Sequence, residues 1–257
     1  MYKAITFFDL DNTLLNEFTQ VDTEVAQAMD QLRQNNILPV IATGRNIFEI
    51  TKILEDTKID TVVSANGDYV IYEGKPVYKS EMSKEVISDL ANYAKSFGDS
   101  IAVLNDKDSK INFNTDFTKG AYDSVNSIVP ALGAKEFAEN NPIYMMIVLT
   151  VGHDEDYLNR FKDTLTFYRN TPFSMDVINT GNSKQHGIEE LIKNANLQGI
   201  PTYAFGDGNN DVSMINFADY GISMGNGLPH VKEIADYVTT NNTDHGIVNG
   251  LKHYGLI

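Results

Sequence analysis

The sequence predicts an α/β protein: a doubly wound parallel sheet with helices on both faces, interrupted by an inserted α+β domain. Three observations carry this. Short apolar runs alternate with amphipathic helical stretches at the start of the chain, the alternation breaks near Tyr69, and it resumes beyond Gly181. Parallel neighbours require a crossover connection, so a strand–helix–strand–helix order folds as parallel strands covered on both faces.

Ala4 to Phe8 reads as a short buried strand. Val25, Ala28, Met29 and Leu32 then recur at helical spacing, with Asp22 placed to cap that helix. Ile37 to Ala42 is the second strand, Ile47, Ile50 and Leu54 mark a second helix, and Thr61 to Ala65 a third strand. Tyr69–Tyr72 and Pro76–Lys79, joined at Glu73-Gly74-Lys75, read as a hairpin. The inserted domain is expected over residues 82–180. It holds a helix with Val86, Ile87, Leu90, Ala94 and Phe97, strands near Ile101 and Ile111, and a further helical stretch. The apolar run Ile143–Val151, a helix Tyr157–Tyr168 and a strand Phe173–Ile178 complete it. The core, 1–81 with 181–257, resumes with a helix bearing Ile188, Leu191, Ile192 and Ala195 and with the strand Thr202–Phe205.

Composition narrows the function. With 20 basic against 35 acidic residues the chain carries −15 at pH 7, a field that repels nucleic acid and anionic membrane surface. Cysteine is absent, which excludes disulfides, thiolate nucleophiles and thiolate metal sites. The five histidines show no metal-ligand spacing. No run approaches transmembrane length, and the N-terminal apolar stretch is too short for a signal peptide, so a cytoplasmic protein is expected, monomeric or a weak homo-oligomer.

In an open parallel sheet, ligands sit at the carboxyl ends of the strands. Four polar clusters fall there or next to it: Asp9-Leu10-Asp11-Asn12-Thr13, Thr43-Gly44-Arg45, Ser183-Lys184 and Gly206-Asp207-Gly208-Asn209-Asn210-Asp211. Together they have the chemistry of a phosphate and magnesium site. Mg²⁺ takes hard oxygen ligands, which Asp9 and Asp207 can supply. Phosphoryl oxygens need cationic, hydroxyl and amide donors, here Mg²⁺, Lys184, Thr43 and loop amides such as that of Leu10. With no Cys and no Ser in a nucleophile elbow, the best-placed nucleophile is Asp9, and Asp11 two residues on could act as general acid and base.

Each piece alone has a blander reading. Asp9-x-Asp11-x-Thr13 could be a loop cap, Thr43-Gly44 a strand end and Lys184 a solvated helix residue, whereas their order along the chain argues for one site. Asp207-x-Asn209-x-Asp211 mimics the start of a calcium loop, but Val212 and Ala218 stand where that loop needs Gly and Glu.

Over nearly its whole length the sequence resembles the haloacid dehalogenase superfamily and, within it, the Cof-type phosphatases with a large α/β cap. Phe7-Phe8-Asp9-Leu10-Asp11-Asn12-Thr13-Leu14-Leu15 is similar to the first family motif, Ala42-Thr43-Gly44-Arg45 to the second, Lys184 to the third and Gly206–Asp211 to the fourth. Ser64-Ala65-Asn66-Gly67 and Ser223-Met224-Gly225-Asn226 are similar to secondary signatures. The resemblance implies a Rossmann-like core, with Asp9 as nucleophile and metal ligand. It implies that Asp11 is acid/base and lends a main-chain carbonyl to Mg²⁺, and that Asp207 is a metal ligand. Thr43, the Gly44 amide and Lys184 would hold phosphate, Asn210 would contact phosphate or substrate, and Asp211 would orient Lys184 or the waters of the metal. The cap would set selectivity. Two departures stand out: Lys184 is followed by Gln185 and His186 before Gly187, where the family commonly has Lys-Gly, and Gly227 stands where Ala is usual.

The expected activity is hydrolysis of a small phosphorylated metabolite of the sugar phosphate kind. The alternatives are a phosphomutase or phosphotransferase using the same Asp9 adduct, and a phospho-ligand-binding regulator with little turnover. The Asp9/Asp11 pair argues against the last, since binding alone needs no acid/base.

Overall fold

Strand β1 (Ala4–Phe8) has every side chain buried because it lies inside an eight-stranded sheet. The computed structural model describes residues 2–125 and 127–257 and divides into two units, the chain up to Tyr78 with Ser183–Ile257, and Lys79–Asn182. The inserted unit thus begins three residues earlier and ends two later than the span 82–180 read from sequence. In the first unit, α1 (Thr23–Gln34) buries Val25, Ala28, Met29 and Leu32. Asp22 takes its N-cap position, but the carboxylate accepts the Asn16 amide (2.7 Å) instead of a helix N–H. Strand β2 (Ile37–Ala42) pairs parallel with β1, from Ala4↔Ile37 to Phe8↔Ile41. The second predicted helix is split: the Asn46 N–H donates to Glu49 Oε2 (2.7 Å) and closes a tight turn, Ile47–Glu49, ahead of α2 (Thr51–Thr57). Next come β3 (Val62–Ser64) and the hairpin of β4 (Tyr69–Tyr72) and β5 (Lys75–Lys79), whose turn residues Glu73 and Gly74 take φ of 47° and 74°. Positive φ at both central residues is the turn that matches strand twist.

The inserted unit starts with α3 (Lys84–Phe97), whose Ser83 Oγ accepts the Val86 N–H and whose end is set by Gly98 at φ 78°. Strands β6 (Ser100–Leu104) and β7 (Ser109–Ile111), helix α4 (Asp116–Asp123), strand β8 (Ala131–Leu132), helix α5 (Ala134–Asn140) and strand β9 (Met145–Leu149) follow. The periodicity predicts one helix from Tyr157 to Tyr168. The chain is instead helical over α6 (Asp154–Phe161) and extended over β10 (Leu165–Thr171), which pairs antiparallel with β11 (Ser174–Asn179). Leu165-Thr166-Phe167-Tyr168 alternates and is rich in β-branched and aromatic residues, so a pleated, half-buried surface suits it. Leu165 is buried, and Phe167 packs on the same cluster as Ile101, Met146, Tyr157 and Val177. The sheet order is β10-β11-β9-β6-β7-β8.

The chain then returns through α7 (Lys184–Asn194), β12 (Thr202–Gly206), α8 (Val212–Phe217), β13 (Tyr220–Ser223), α9 (Pro229–Ile234), β14 (Tyr237–Val238) and α10 (Gly246–His253). The order of the first sheet is β14-β13-β12-β1-β2-β3-β4-β5, parallel up to β3 and antiparallel from β3 to β4. Alternate residues of β1 serve opposite faces. Ile5 and Phe7 pack with Ile188, Leu191, Met214 and Val231, whereas Ala4 and Phe8 pack with Val25, Leu32, Ile247 and Leu251. Helices therefore cover both faces, the doubly wound arrangement. Among the described residues, no helix is long and apolar enough to cross a membrane.

Candidate active site

Register brings the first and last acidic clusters together. Phe8 pairs with Phe205, and the Asp9 N–H donates to the Phe205 carbonyl (3.0 Å), so Asp9 and Asp207 leave neighbouring strands side by side. Here the order reverses: the chain leaves β1 for β2 on one flank and comes back to β12 on the other, the switch point where open sheets bind ligands. After Asp9 a wide turn is closed by Leu14 N–H to the Asp9 carbonyl (3.2 Å) and Leu15 N–H to the Leu10 carbonyl (2.9 Å), with Asn12 at φ 59°. The Leu10 side chain is fully buried in the core, which leaves only its main chain to meet the expectation of a phosphate contact. Thr13 Oγ1 donates to Asp207 Oδ1 (3.2 Å).

Ser183 caps α7 by accepting the His186 N–H (3.2 Å), which makes Lys184 the first helical residue. Its side chain is fully buried, and Nζ lies 2.6 Å from both Asp9 Oδ1 and Asp211 Oδ1. The other Asp211 oxygen accepts the Asp207 and Gly208 N–H groups, each at 2.9 Å. This fold-back needs Gly206, where a Cβ would come within 2.6 Å of the Asp211 carboxyl carbon. Asp211 thus orients both Lys184 and the Asp207 loop.

Asp9, Asp207 and Asp211 present carboxylate oxygens within 4.8 Å of one another. Three carboxylates face one ammonium, a formal local charge of −2, and buried charge without compensation is costly. The titration properties follow. Burial first, then Asp211, pushes the Asp9 carboxyl well above its usual range despite Lys184. Burial and Asp211 likewise push Asp207 up to about 6. Burial alone would depress Lys184, but the Asp211 and Asp9 carboxylates outweigh it and hold the ammonium above the ordinary lysine value. A deficit of two positive charges among hard oxygen donors fits a divalent cation held by Asp9 and Asp207.

The Asp11 carboxylate is outside that group. It is about half exposed and clasped by Arg45, with Nε to Oδ2 at 2.8 Å and Nη2 to Oδ1 at 2.5 Å. In this structure Arg45 is the partner of the predicted acid/base. The Thr43 side chain is buried and its Oγ1 accepts the Arg45 N–H (3.1 Å), with Gly44 half-buried between them. Asn210 Nδ2 donates to Asn66 Oδ1 (2.9 Å). His186 Nε2 lies 3.1 Å from the Tyr78 hydroxyl.

Both departures from the family pattern have a steric reading. A Cβ on Gly187 would fall 2.7 Å from the Gly67 Cα, so this glycine lets α7 approach the Ala65–Gly67 turn while Lys184 still reaches Asp9. A Cβ on Gly227 would fall 2.7 Å from Ser223 Oγ and 2.9 Å from the Met224 carbonyl. Thr13, Arg45, Asn66 and Asn226 join the site only through the fold. Asn226 Nδ2 donates to the Asn12 carbonyl (2.8 Å) and so steadies the turn after Asp9. Both asparagines lay within the secondary signatures, which were the available signal.

Comparison with known proteins agrees with this geometry. Residues 6–251 match the family described as haloacid dehalogenase-like hydrolase. The Bacillus subtilis protein YkrA is 27% identical over the full length of both chains, and phosphatase YwpJ of the same organism is 28% identical over 95% of this chain and 97% of its own. Among solved structures, the sugar phosphatase BT4131 superposes with a TM-score of 0.87 at 28% identity, covering 99% of this chain and 100% of that one. A match across almost every core element, joined to an aspartate cluster at the switch point, makes this chain a phosphatase-type member of the haloacid dehalogenase-like hydrolase family.

Proposed function

We propose that this protein hydrolyses the monoester of a small phosphorylated metabolite, of the sugar phosphate kind, through a phosphoryl group carried on Asp9. The observation that carries the reading is the buried Lys184 ammonium bonded to Asp9 among three clustered carboxylates. The sugar phosphatase activity named for BT4131 supports the substrate class. Mg²⁺ bound by Asp9, Asp207 and the Asp11 main-chain carbonyl would neutralise the excess charge and polarise the phosphoryl oxygens.

Lys184, the Thr43 hydroxyl, Asn210 and the Leu10 and Gly44 amides hold the phosphoryl oxygens. An Asp9 oxygen attacks phosphorus as the ester P–O bond breaks, and protonated Asp11 delivers its proton to the departing oxygen. Asp11, now a carboxylate, takes a proton from water as the water oxygen attacks phosphorus. The Asp9–phosphorus bond breaks and inorganic phosphate leaves. Asp11 must exchange Arg45 for the substrate oxygen to do this, because both its oxygens are engaged in the resting pair.

The test is phosphate release from a panel of metabolite monoesters, for wild type and Asp9→Asn, with Mg²⁺ and with chelator. Release confined to wild type with Mg²⁺ supports the proposal. Full activity in Asp9→Asn removes the nucleophile assignment, and phosphate recovered on an added sugar instead of in solution makes the protein a transferase.

A further inference from the structure

Between β3 and β4 the backbone does something that ordinary side chains resist. Ala65, Asn66 and Gly67 take φ of 51°, 50° and 106° in succession, and the first two are not glycine. A Cβ resists the left-handed conformation, alanine more than asparagine, and such strain persists only where the surroundings impose it.

The surroundings here are the predicted phosphate-holding segments. The Asn66 N–H donates to the Thr43 carbonyl (3.0 Å) and the Ala65 N–H to the Arg45 carbonyl (3.1 Å), which also accepts Ser64 Oγ (2.9 Å). Gly67 lies against the helix that begins with Lys184: a Cβ there would be 2.1 Å from the Ser183 carbonyl oxygen. The Asn66 side chain, fully buried, accepts Asn210 Nδ2 (2.9 Å) from a loop 144 residues away. One strained turn therefore touches three of the four site clusters.

We infer that Asn66 is a positioning residue for phosphoryl binding, acting through Asn210. A carboxamide has two N–H donors and one carbonyl, and free rotation would let Asn210 present either end to an anion. The Asn66 carbonyl oxygen takes one Nδ2 hydrogen, which fixes the amide plane and leaves the second hydrogen for a phosphoryl oxygen. The left-handed backbone at Asn66 is what turns its side chain toward Asn210. The inference rests on the assignment of Asn210 to the phosphoryl group under Proposed function.

The experiment is a double-substitution cycle. Asn66→Gly keeps the backbone conformation open and removes the amide, and Asn210→Ala removes its partner. For wild type, each single variant and the double variant, the affinity for inorganic phosphate with Mg²⁺ and kcat/KM on p-nitrophenyl phosphate are measured, with urea midpoints as the control for folding. Loss of the bond to the phosphoryl anion predicts a fall of about ten- to a hundredfold in Asn210→Ala, and loss of the neutral amide–amide bond a fall of about two- to tenfold in Asn66→Gly, with the double variant no worse than Asn210→Ala. Wild-type values for Asn66→Gly, or losses that multiply in the double variant, overturn the inference.

Phosphate affinity separates this test from the catalytic reading. A wild type that binds phosphate without turnover leaves the cycle interpretable and refutes only the hydrolase proposal. Should Asn66→Gly fail to fold, the side-chain amide signals of Asn210 in wild type give the answer by NMR. Movement of one Asn210 amide proton on adding phosphate, with the other slow to exchange, supports the inference, and no movement refutes it.

Discussion

Acidifying the metal-free protein is predicted to stabilise it, and a divalent cation is predicted to erase that gain. Asp207 has a folded-state pKa of about 6 against 3.8 for the free group, raised by burial and by Asp211. A raised carboxyl binds a proton more tightly when folded. Its contribution is therefore fully present below the unfolded pKa and lost as pH rises through about 6. The shift corresponds to about 3 kcal/mol in full, of which about 1.4 kcal/mol is realised on going from pH 7.5 to pH 5. Asp9 adds in the same direction. The carboxylates whose pKa is lowered, Asp30, Asp108 and Glu190 by their Arg33, Lys110 and Lys193 partners, lose their contribution only as pH falls below the ordinary carboxylate range, outside this window. The assay is urea denaturation at both pH values, in chelator and in saturating Mg²⁺. Groups away from the cation are common to both arms, so the difference between arms isolates the aspartate cluster. Equal pH dependence in the two arms, or metal-free protein that weakens on acidification relative to the Mg²⁺ arm, would refute the charge argument.

Two further substitutions probe the same chemistry. Lys184→Met removes the one ammonium bonded to Asp9 and Asp211, and stability in chelator should fall by about 3–5 kcal/mol, the cost of breaking a buried pair; an unchanged urea midpoint would show that the carboxylates do not need it. Arg45→Gln frees Asp11 from the pair it must leave to reach the substrate oxygen, so kcat on alkyl phosphates should rise relative to that on p-nitrophenyl phosphate, whose leaving group needs little protonation. An equal change on both substrates would count against it.

The parts of the fold and candidate site legible in the sequence share a physical cause. Strand ends in a parallel sheet are marked by apolar runs stopping at polar residues, so Asp9, Thr43 and Asp207 could be placed from local pattern alone. Lys184 could be placed as a helix start but not as buried, because its reach to Asp9 and Asp211 depends on Gly67 and Gly187 letting α7 settle. The Asp11–Arg45 pair joins residues 34 apart through the geometry of two turns, which no periodicity records. Leu165–Tyr168 fits the end of a helical period as well as a strand, because the two periods overlap over short apolar stretches; pairing with Ser174–Asn179 decides it. Asn66 was legible only as part of a pattern, since its function depends on an unusual backbone conformation.

The pairing of β1 with β12 has a consequence for how the protein is made. Ile5 sits opposite Thr202, and the entire inserted unit lies between them in sequence. Contacts so distant along the chain close slowly, because chain entropy is lost before they are rewarded. A ribosome-bound chain that has finished only its first three strands holds Asp9 and Thr43 but no Lys184 or Asp207. The half-built centre does not carry the crowding of acidic groups until the last third of the chain arrives. The aspartates are predicted to come together in a late folding step, and refolding rates measured with and without divalent cation check it.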